Sequence, residues 1–281
     1  MGEVVGVLEA HLSGAGSGCF GGVVVSVPYY QDDLVTLYHG DALEVLTELG
    51  AGSVSHIVTD PPYILQAGSS SKAGSKTGGW ADMMNASFWF TAWYKECRRI
   101  VRGDGSMWTF GNWRTLPAMQ RAAIDSDFPA TSLLVWDKAS IGPAGPQALR
   151  SQHEVCMVMA REAYRLADRS QGDVLKVQGF QNKSTGHPAE KPIALLRRVI
   201  ELTGVKAGEV ILDPFTGSGT ALVAAAELGV RSIGIEAEER WCEVAAKRAA
   251  SKPLHLFPAR DETRSSGWSG TEQSFDLEAL S

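Results

Sequence analysis

Between Leu34 and Ala250 short apolar runs alternate with amphipathic stretches, and that alternation limits the folds open to the chain. "LVTLYHGD", "VSHIVTD", "GSMWTFG", "ATSLLVWD", "HEVCMVMA", "EVILDPF" and "RSIGIE" read as strands. "ALEVLTEL", "SFWFTAWYKECRRIV", "PIALLRRVIELTG", "TALVAAAELG" and "EERWCEVAAKRAA" read as helices. In the third of these, Pro192 lies in the first turn and Gly204 at the end, where helices favour them. Strands alternating with helices imply a largely parallel sheet covered on both faces. The expected architecture is therefore a doubly wound, mostly parallel α/β sheet of the Rossmann-like type. Ligands of such sheets bind at the carboxyl ends of the strands. Asp41, Asp60, Asp213 and Glu236 all fall at predicted strand ends, so these four acids are expected to share one edge of the sheet.

Two of those acids open short motifs. In "ILDPFTGSGT" an apolar strand, Val210 to Leu212, leads through Asp213 into the tight turn Gly217-Ser218-Gly219 and then a helix. Glycines let backbone approach a ligand closely, and the helix start offers free N–H groups to an anion such as a carboxylate. Glu236 follows 17 residues after Gly219, a distance at which an acid can hold two ribose hydroxyls. Leu222 stands where a dinucleotide fingerprint has its third glycine, so a single-nucleoside site is the better reading. The turn alone is equally a structural turn; the complete strand, acid, turn, helix and second acid carry the inference. In "VTDPPYILQ", two prolines follow Asp60 and Tyr63 follows them. Taken alone, this is a turn leaving a strand.

Composition sets the outer limits. The 281 residues suffice for one large domain or two small ones, and no apolar run approaches the length that spans a bilayer. No signal peptide is read at the N-terminus. Cys19, Cys97, Cys156 and Cys242 are isolated, which argues against a disulfide framework or a zinc site and fits a reducing cytoplasm. A net charge of -6 argues against non-specific coating of nucleic acid but leaves room for a local basic face. Residues 1–28 and 253–281 are Gly/Ser-rich or polar and are expected to be flexible tails around a single catalytic domain, 29–252. The polar stretch Gln66 to Trp80 is expected to be a lid.

Together the motifs resemble the S-adenosylmethionine-dependent amino-DNA methyltransferases. "DPPY" (Asp60, Pro61, Pro62, Tyr63) is similar to their catalytic motif and "DPFTGSGT" to their cofactor motif. The catalytic motif comes first, the order of the beta class, and "LYHGDALEVL", "HPAEKPIALLRRVI" and "GIEAEERWCEVAAKR" match as well, over roughly Leu34 to Arg248. The resemblance implies a Rossmann-like methyltransferase fold, S-adenosylmethionine as cofactor, double-stranded DNA as partner and no metal. It implies cofactor contacts from Asp41, Ala42, Lys191, Asp213, Phe215, Gly217, Ser218, Gly219, Thr220 and Glu236. His187 joins this set by the same match, and Asp41 is equally a helix N-cap. Dimerisation is common in the family, and nothing in the sequence demonstrates it.

The chemistry then accounts for the tetrapeptide. The lone pair of an exocyclic base amine is delocalised into the ring. Two acceptors on its N–H bonds, the Asp60 carboxylate and the Pro61 carbonyl, would localise it. Pro61 has its φ fixed and Pro62 biases it toward an extended conformation, so the carbonyl is preorganised. Tyr63 can stack on the base, which must leave the duplex to reach such a pocket. Adenine N6 is chosen over cytosine N4 because, by resemblance, adenine enzymes begin the motif with Asp or Asn and cytosine-N4 enzymes with Ser. A catalytically inactive nucleic-acid-binding relative is the rival from another class. Target recognition is expected from Ala139 to Gln152 and Arg161 to Gly186, within residues 139–186. Arg98, Arg99, Arg102, Arg197 and Arg198 are read mainly as solvated faces, and Trp108, Trp113 and Trp136 as core.

Overall fold

A computed structural model describes residues 27–62, 80–142, 146–147, 149–179, 185–187 and 189–251. The expected lid and Tyr63 lie outside the described residues, apart from Trp80, which begins a helix; so do almost all residues of the two expected tails.

Nine strands form one sheet: β1 (Tyr30–Gln31), β2 (Val35–His39), β3 (Val54–Thr59), β4 (Val101–Gly111), β5 (Ala130–Asp137), β6 (His153–Ala160), β7 (Val174–Lys176), β8 (Val210–Asp213) and β9 (Arg231–Glu236). Their order across the sheet is β1-β2-β9-β8-β3-β4-β6-β5-β7. Strands β2, β9, β8, β3 and β4 are mutually parallel. Strand β6 runs antiparallel to both its neighbours, and β1 runs antiparallel to β2. Among the described residues the helices are α1 (Ala42–Glu48), α2 (Trp80–Ile100), α3 (Leu116–Asp125), α4 (Ile193–Thr203), α5 (Thr220–Glu227) and α6 (Glu239–Ala250).

Residues alternate between two cores, as the pleat requires. Ile57, Met107 and Leu212 pack with α1, α2 and α3 on one face, while Val58, Trp108 and Ile211 pack with α4 and α5 on the other. All six residues of β3 are buried, the polar Ser55, His56 and Thr59 included. Phe90, Trp93 and Tyr94 are fully buried in α2. Each such ring removes enough apolar surface from water to contribute on the order of 2–3 kcal/mol. Gly204 ends α4 in the left-handed region, with φ 80, as its position after the last apolar residue predicts.

The sheet winds both ways from one point. After β3 the chain crosses through α2 to β4, on one side; after β8 it crosses through α5 to β9, on the other. Strands β3 and β8 are neighbours, so a crevice opens between their carboxyl ends. The motifs beginning at Asp60 and Asp213 are the segments that leave those two ends.

Candidate active site

The four acids do share one edge. Strands β2, β9, β8 and β3 are adjacent and parallel, and Asp41, Glu236, Asp213 and Asp60 lie at their carboxyl ends. Thr59 joins the two central motifs: its hydroxyl donates to Asp213 Oδ1 at 2.7 Å. The Phe215 N–H reaches the same oxygen at 3.1 Å. Asp213 is 5% exposed, and burial pushes its pKa up to about 7 against those two hydrogen bonds, with the charges of Asp60 and Glu236 adding to the rise.

Beside it lies the glycine turn. Gly217 and Gly219 both have positive φ, 53 and 82, so each needs the freedom of glycine. A Cβ on Gly219 would stand 2.9 Å from Ala245 Cβ, and one on Gly217 would stand 3.1 Å from the His187 ring. The His187 ring in turn meets Trp241 edge to face at 4.4 Å. Glu236 braces the turn from β9: Oε2 accepts from the Gly217 N–H and Oε1 from the Glu238 N–H, both at 2.8 Å. Each oxygen keeps a second lone pair with which to accept from a ligand hydroxyl. Asp41 caps α1, its Oδ1 accepting from the Leu43 N–H at 2.8 Å, and Ala42 is buried behind it. Phe215 is both core and wall: its ring tilts against Trp89 and meets Trp93 edge to face, and it lines the cleft.

Three groups depart from their expected surroundings. Lys191, expected on the cofactor, lines the same cleft as Gly217 and in addition ion-pairs with Asp60 and lies 3.1 Å from Glu154. Burial opposes its ammonium, but Asp60 and Glu154 outweigh that and hold its pKa above the usual lysine value. The hydroxyls of Ser218 and Thr220 turn toward Arg248, whose Nη1 donates to the Ser218 carbonyl at 2.7 Å and lies 3.2 and 3.3 Å from the two hydroxyl oxygens. Arg248 also meets Glu190 at 3.6 Å. Trp108 and Trp136 are core, but Trp113 is 65% exposed on the loop leaving β4, with the Arg114 guanidinium 4.3 Å above its ring.

Sequence reasoning missed Glu154, Lys138, Glu190, Arg248 and Trp113. The only signals were a charge opening the apolar strand "HEVCMVMA", the adjacent acid and base of "HPAEKP", and an aromatic just past a strand end. Of the arginines, Arg98, Arg99 and Arg102 sit at the amino end of β4, opposite the cleft, in ion pairs with Asp127, Glu96 and Glu209. Arg197 and Arg198 pair with Glu201 and Asp168. Among the described residues no group of three or more His, Cys, Asp or Glu could hold a metal ion, and no helix is long and apolar enough to cross a membrane.

The profile of the DNA methylase family N6_N4_Mtase matches residues 54–247, which span β3 to α6. The chain belongs to this DNA methylase family. Among its relatives is the type II methyltransferase M2.DpnII of Streptococcus pneumoniae, 29% identical over 259 residues, 82% of this chain and 94% of the relative. Another is the type II methyltransferase M.HinfI of Haemophilus influenzae, 27% identical over 247 residues, 77% of this chain and 68% of the relative. The solved structure of the PvuII DNA methyltransferase (cytosine-N4-specific) shares the fold with TM-score 0.66 and 17% identity, over 82% of this chain and 90% of that one. The M1.HpyAVI–SAM complex does so with TM-score 0.60 and 22% identity, over 76% and 98%.

S-adenosylmethionine, the ligand of the M1.HpyAVI complex, suits this edge on three counts. The donor carries a sulfonium and an ammonium, and three carboxylates crowd the crevice. One of them, Asp213, is buried with two hydrogen bonds and a raised pKa, the condition of an acid that a nearby cation would relieve. The turn at Gly217 and Gly219 presents backbone without side chains to the same cleft.

Proposed function

We propose that this methylase transfers a methyl group from S-adenosylmethionine to the N6 amine of adenine in a base flipped out of double-stranded DNA, with Asp60 and Pro61 as acceptors for the amine hydrogens. The observation that supports it most is the adjacency at the switch point. Thr59 links β3 to Asp213 at 2.7 Å, so the residue after Thr59, Asp60, leaves its strand beside the start of the glycine turn. Nucleophile activation and methyl donation then meet across one crevice, which is the alignment a direct displacement needs.

In this reading Gly217, Gly219, Phe215, Glu236, Asp213 and Asp41 hold the cofactor, with Glu236 on the ribose. When bound, the cofactor supplies an electrophilic methyl on its sulfonium. Asp60 accepts one N–H of the target amine and the Pro61 carbonyl the other, drawing the lone pair out of conjugation. Pro61 is buried and Pro62 exposed, consistent with a fixed carbonyl at the wall of the cleft. The N–C bond would form as the methyl–sulfur bond breaks, its electron pair leaving with sulfur as a neutral thioether, and the amine would shed one proton to the Asp60 carboxylate, the base within reach. Base contacts are assigned to Ala139–Gln152 and Arg161–Gly186. The first of these leaves the carboxyl end of β5, on the cleft's edge of the sheet, and exposes Ile141 and Leu149. The protein acts in the cytoplasm, where its DNA substrate lies.

Cytosine N4 offers the same amine geometry, and Asp60 favours adenine only by family pattern. Incubation of unmethylated genomic DNA with protein and S-adenosylmethionine, followed by digestion to nucleosides and mass spectrometry, tests the reading. N6-methyladenine is expected; N4-methylcytosine alone overturns the choice of base. Asp60→Asn is expected to reduce single-turnover transfer by about 10²-fold or more, as loss of a preorganised electrostatic group does.

A further inference from the structure

We infer that Glu154 is a positioning residue for methyl transfer, acting through Lys191 to set the place and the acceptor strength of Asp60. The inference rests on the reading of Asp60 given above. Glu154 is the second residue of β6, the strand that runs against the direction of its neighbours and so starts at the catalytic edge. Its Oε2 lies 3.1 Å from Lys191 Nζ and its Oε1 2.7 Å from Lys138 Nζ. Lys191 Nζ also pairs with Asp60 Oδ2. The result is a row of alternating charge, Asp60, Lys191, Glu154 and Lys138, contributed by four separate segments around β3, α4, β6 and β5. All four side chains are largely buried, from 8% exposed at Lys191 to 24% at Lys138. Aromatic rings flank the row: Lys191 lies 5.4 Å from the centroid of Phe110 and Lys138 lies 5.5 Å from that of Trp136.

The row has a consequence for catalysis. An ammonium with Asp60 as its sole counter-ion would bind that carboxylate tightly, and the target amine would then compete with a complete ion pair. Glu154 draws on the same ammonium from the other side. Asp60 is anchored by Lys191 yet retains negative charge for the amine. Lys138 in turn moderates Glu154. Among the described residues, other ionisable groups near this row include the Cys156 thiol on β6, which burial keeps protonated, and Asp213 beyond Asp60.

The test compares Glu154→Gln, Lys138→Met and Lys191→Met by single-turnover transfer from tritiated S-adenosylmethionine to unmethylated genomic DNA across pH. Glu154→Gln is expected to slow transfer about tenfold or more near neutral pH while binding S-adenosylmethionine within about twofold of wild type. It is also expected to move the acid limb of the rate profile about tenfold in proton concentration, to lower pH, as removal of a charge at this range does. Lys138→Met removes the competing cation and is expected to move the limb the other way. Adding Glu154→Gln to Lys191→Met should change nothing further, because the route through Lys191 is already cut. Acid limbs that coincide with wild type in both Glu154→Gln and Lys138→Met, or additive losses in the double variant, overturn the inference. Should Glu154→Gln fail to fold, the Lys138→Met limb decides alone. Asp60→Asn separates the two levels: full activity there defeats the reading of Asp60, whereas an inactive Asp60→Asn beside a wild-type profile for Glu154→Gln defeats only this inference.

Discussion

Replacing Asp213 by asparagine should stabilise the ligand-free protein at alkaline pH while weakening its hold on the cofactor. The carboxyl is 5% exposed and titrates at about 7, against an ordinary 3.8. Because the folded-state value lies above the unfolded one, the native protein binds the extra proton between these values. Stability is therefore greatest below pH 3.8 for this group, declines as pH rises toward 7, and carries the full cost above it. A tenfold change in a protonation equilibrium is worth about 1.4 kcal/mol, so the cost reaches about 4 kcal/mol above neutrality. Asparagine removes the titration and keeps both native hydrogen bonds, since Thr59 Oγ1 and the Phe215 N–H donate to the same oxygen, Oδ1.

Thermal melts of the ligand-free proteins from pH 5 to 9 measure the difference. The variant should gain on wild type as pH rises, by about 10 °C at the alkaline end for a domain of this size. Calorimetry supplies the complementary sign. A cationic ligand beside Asp213 favours the carboxylate, so wild type should release up to one proton on binding S-adenosylmethionine near pH 7, seen as a dependence of the heat on buffer ionisation. The asparagine variant should bind more weakly with less proton release. Melting curves that stay parallel across the whole range would refute the link between burial and titration at this acid.

Three further outcomes are expected elsewhere. Glu236→Ala should weaken S-adenosylmethionine binding by about 1–3 kcal/mol, the usual cost of losing charge-assisted hydrogen bonds, and unchanged affinity in calorimetry would remove the ribose assignment. Burial lowers the pKa of His56 to about 4, so its contribution is complete above pH 6.5 and about 3 kcal/mol is lost as pH falls from there to 4; an NMR titration midpoint at or above 6.5 contradicts this. Trp113→Ala, at an exposed ring just past the carboxyl end of β4, should weaken DNA binding by about 1–3 kcal/mol, as loss of a stacking aromatic does, with cofactor affinity unchanged; equal DNA affinity in fluorescence anisotropy assigns the ring no such contact.

The fold was legible because its signal is local. The apolar runs at Val54–Thr59, Val210–Asp213 and Arg231–Glu236 and the helices between them are periodic, and their alternation already implies which edge carries Asp41, Asp60, Asp213 and Glu236. Strand direction was not legible. "HEVCMVMA" is buried on both faces like a parallel strand, and nothing in that pattern says that it runs backward; yet the reversal is what brings Glu154 to the catalytic edge. Helix α3 escaped because its buried face is built of Ala118, Met119, Ala122 and Ala123, too small to mark a strong stripe. Trp113 lies two residues past the end of β4 and is exposed, whereas Trp108 and Trp136 lie within β4 and β5 and are buried.

Lys191 lines the cleft of the glycine turn and also reaches Asp60. The segment "HPAEKP" matches the family as a unit beside the cofactor loop, and half of it does serve that loop. Glu190 is buried, accepts from the Thr185 hydroxyl at 2.8 Å and meets Arg248, which grips the carbonyl of Ser218. The next residue pairs instead with Asp60. Both directly precede Pro192, which caps α4 in an extended conformation. An acid and a base one residue apart can therefore support the glycine turn with one side chain and Asp60 with the other. The glycine turn and Asp60 are thus contacted from adjacent residues of one segment, through Arg248 in the first case and directly in the second.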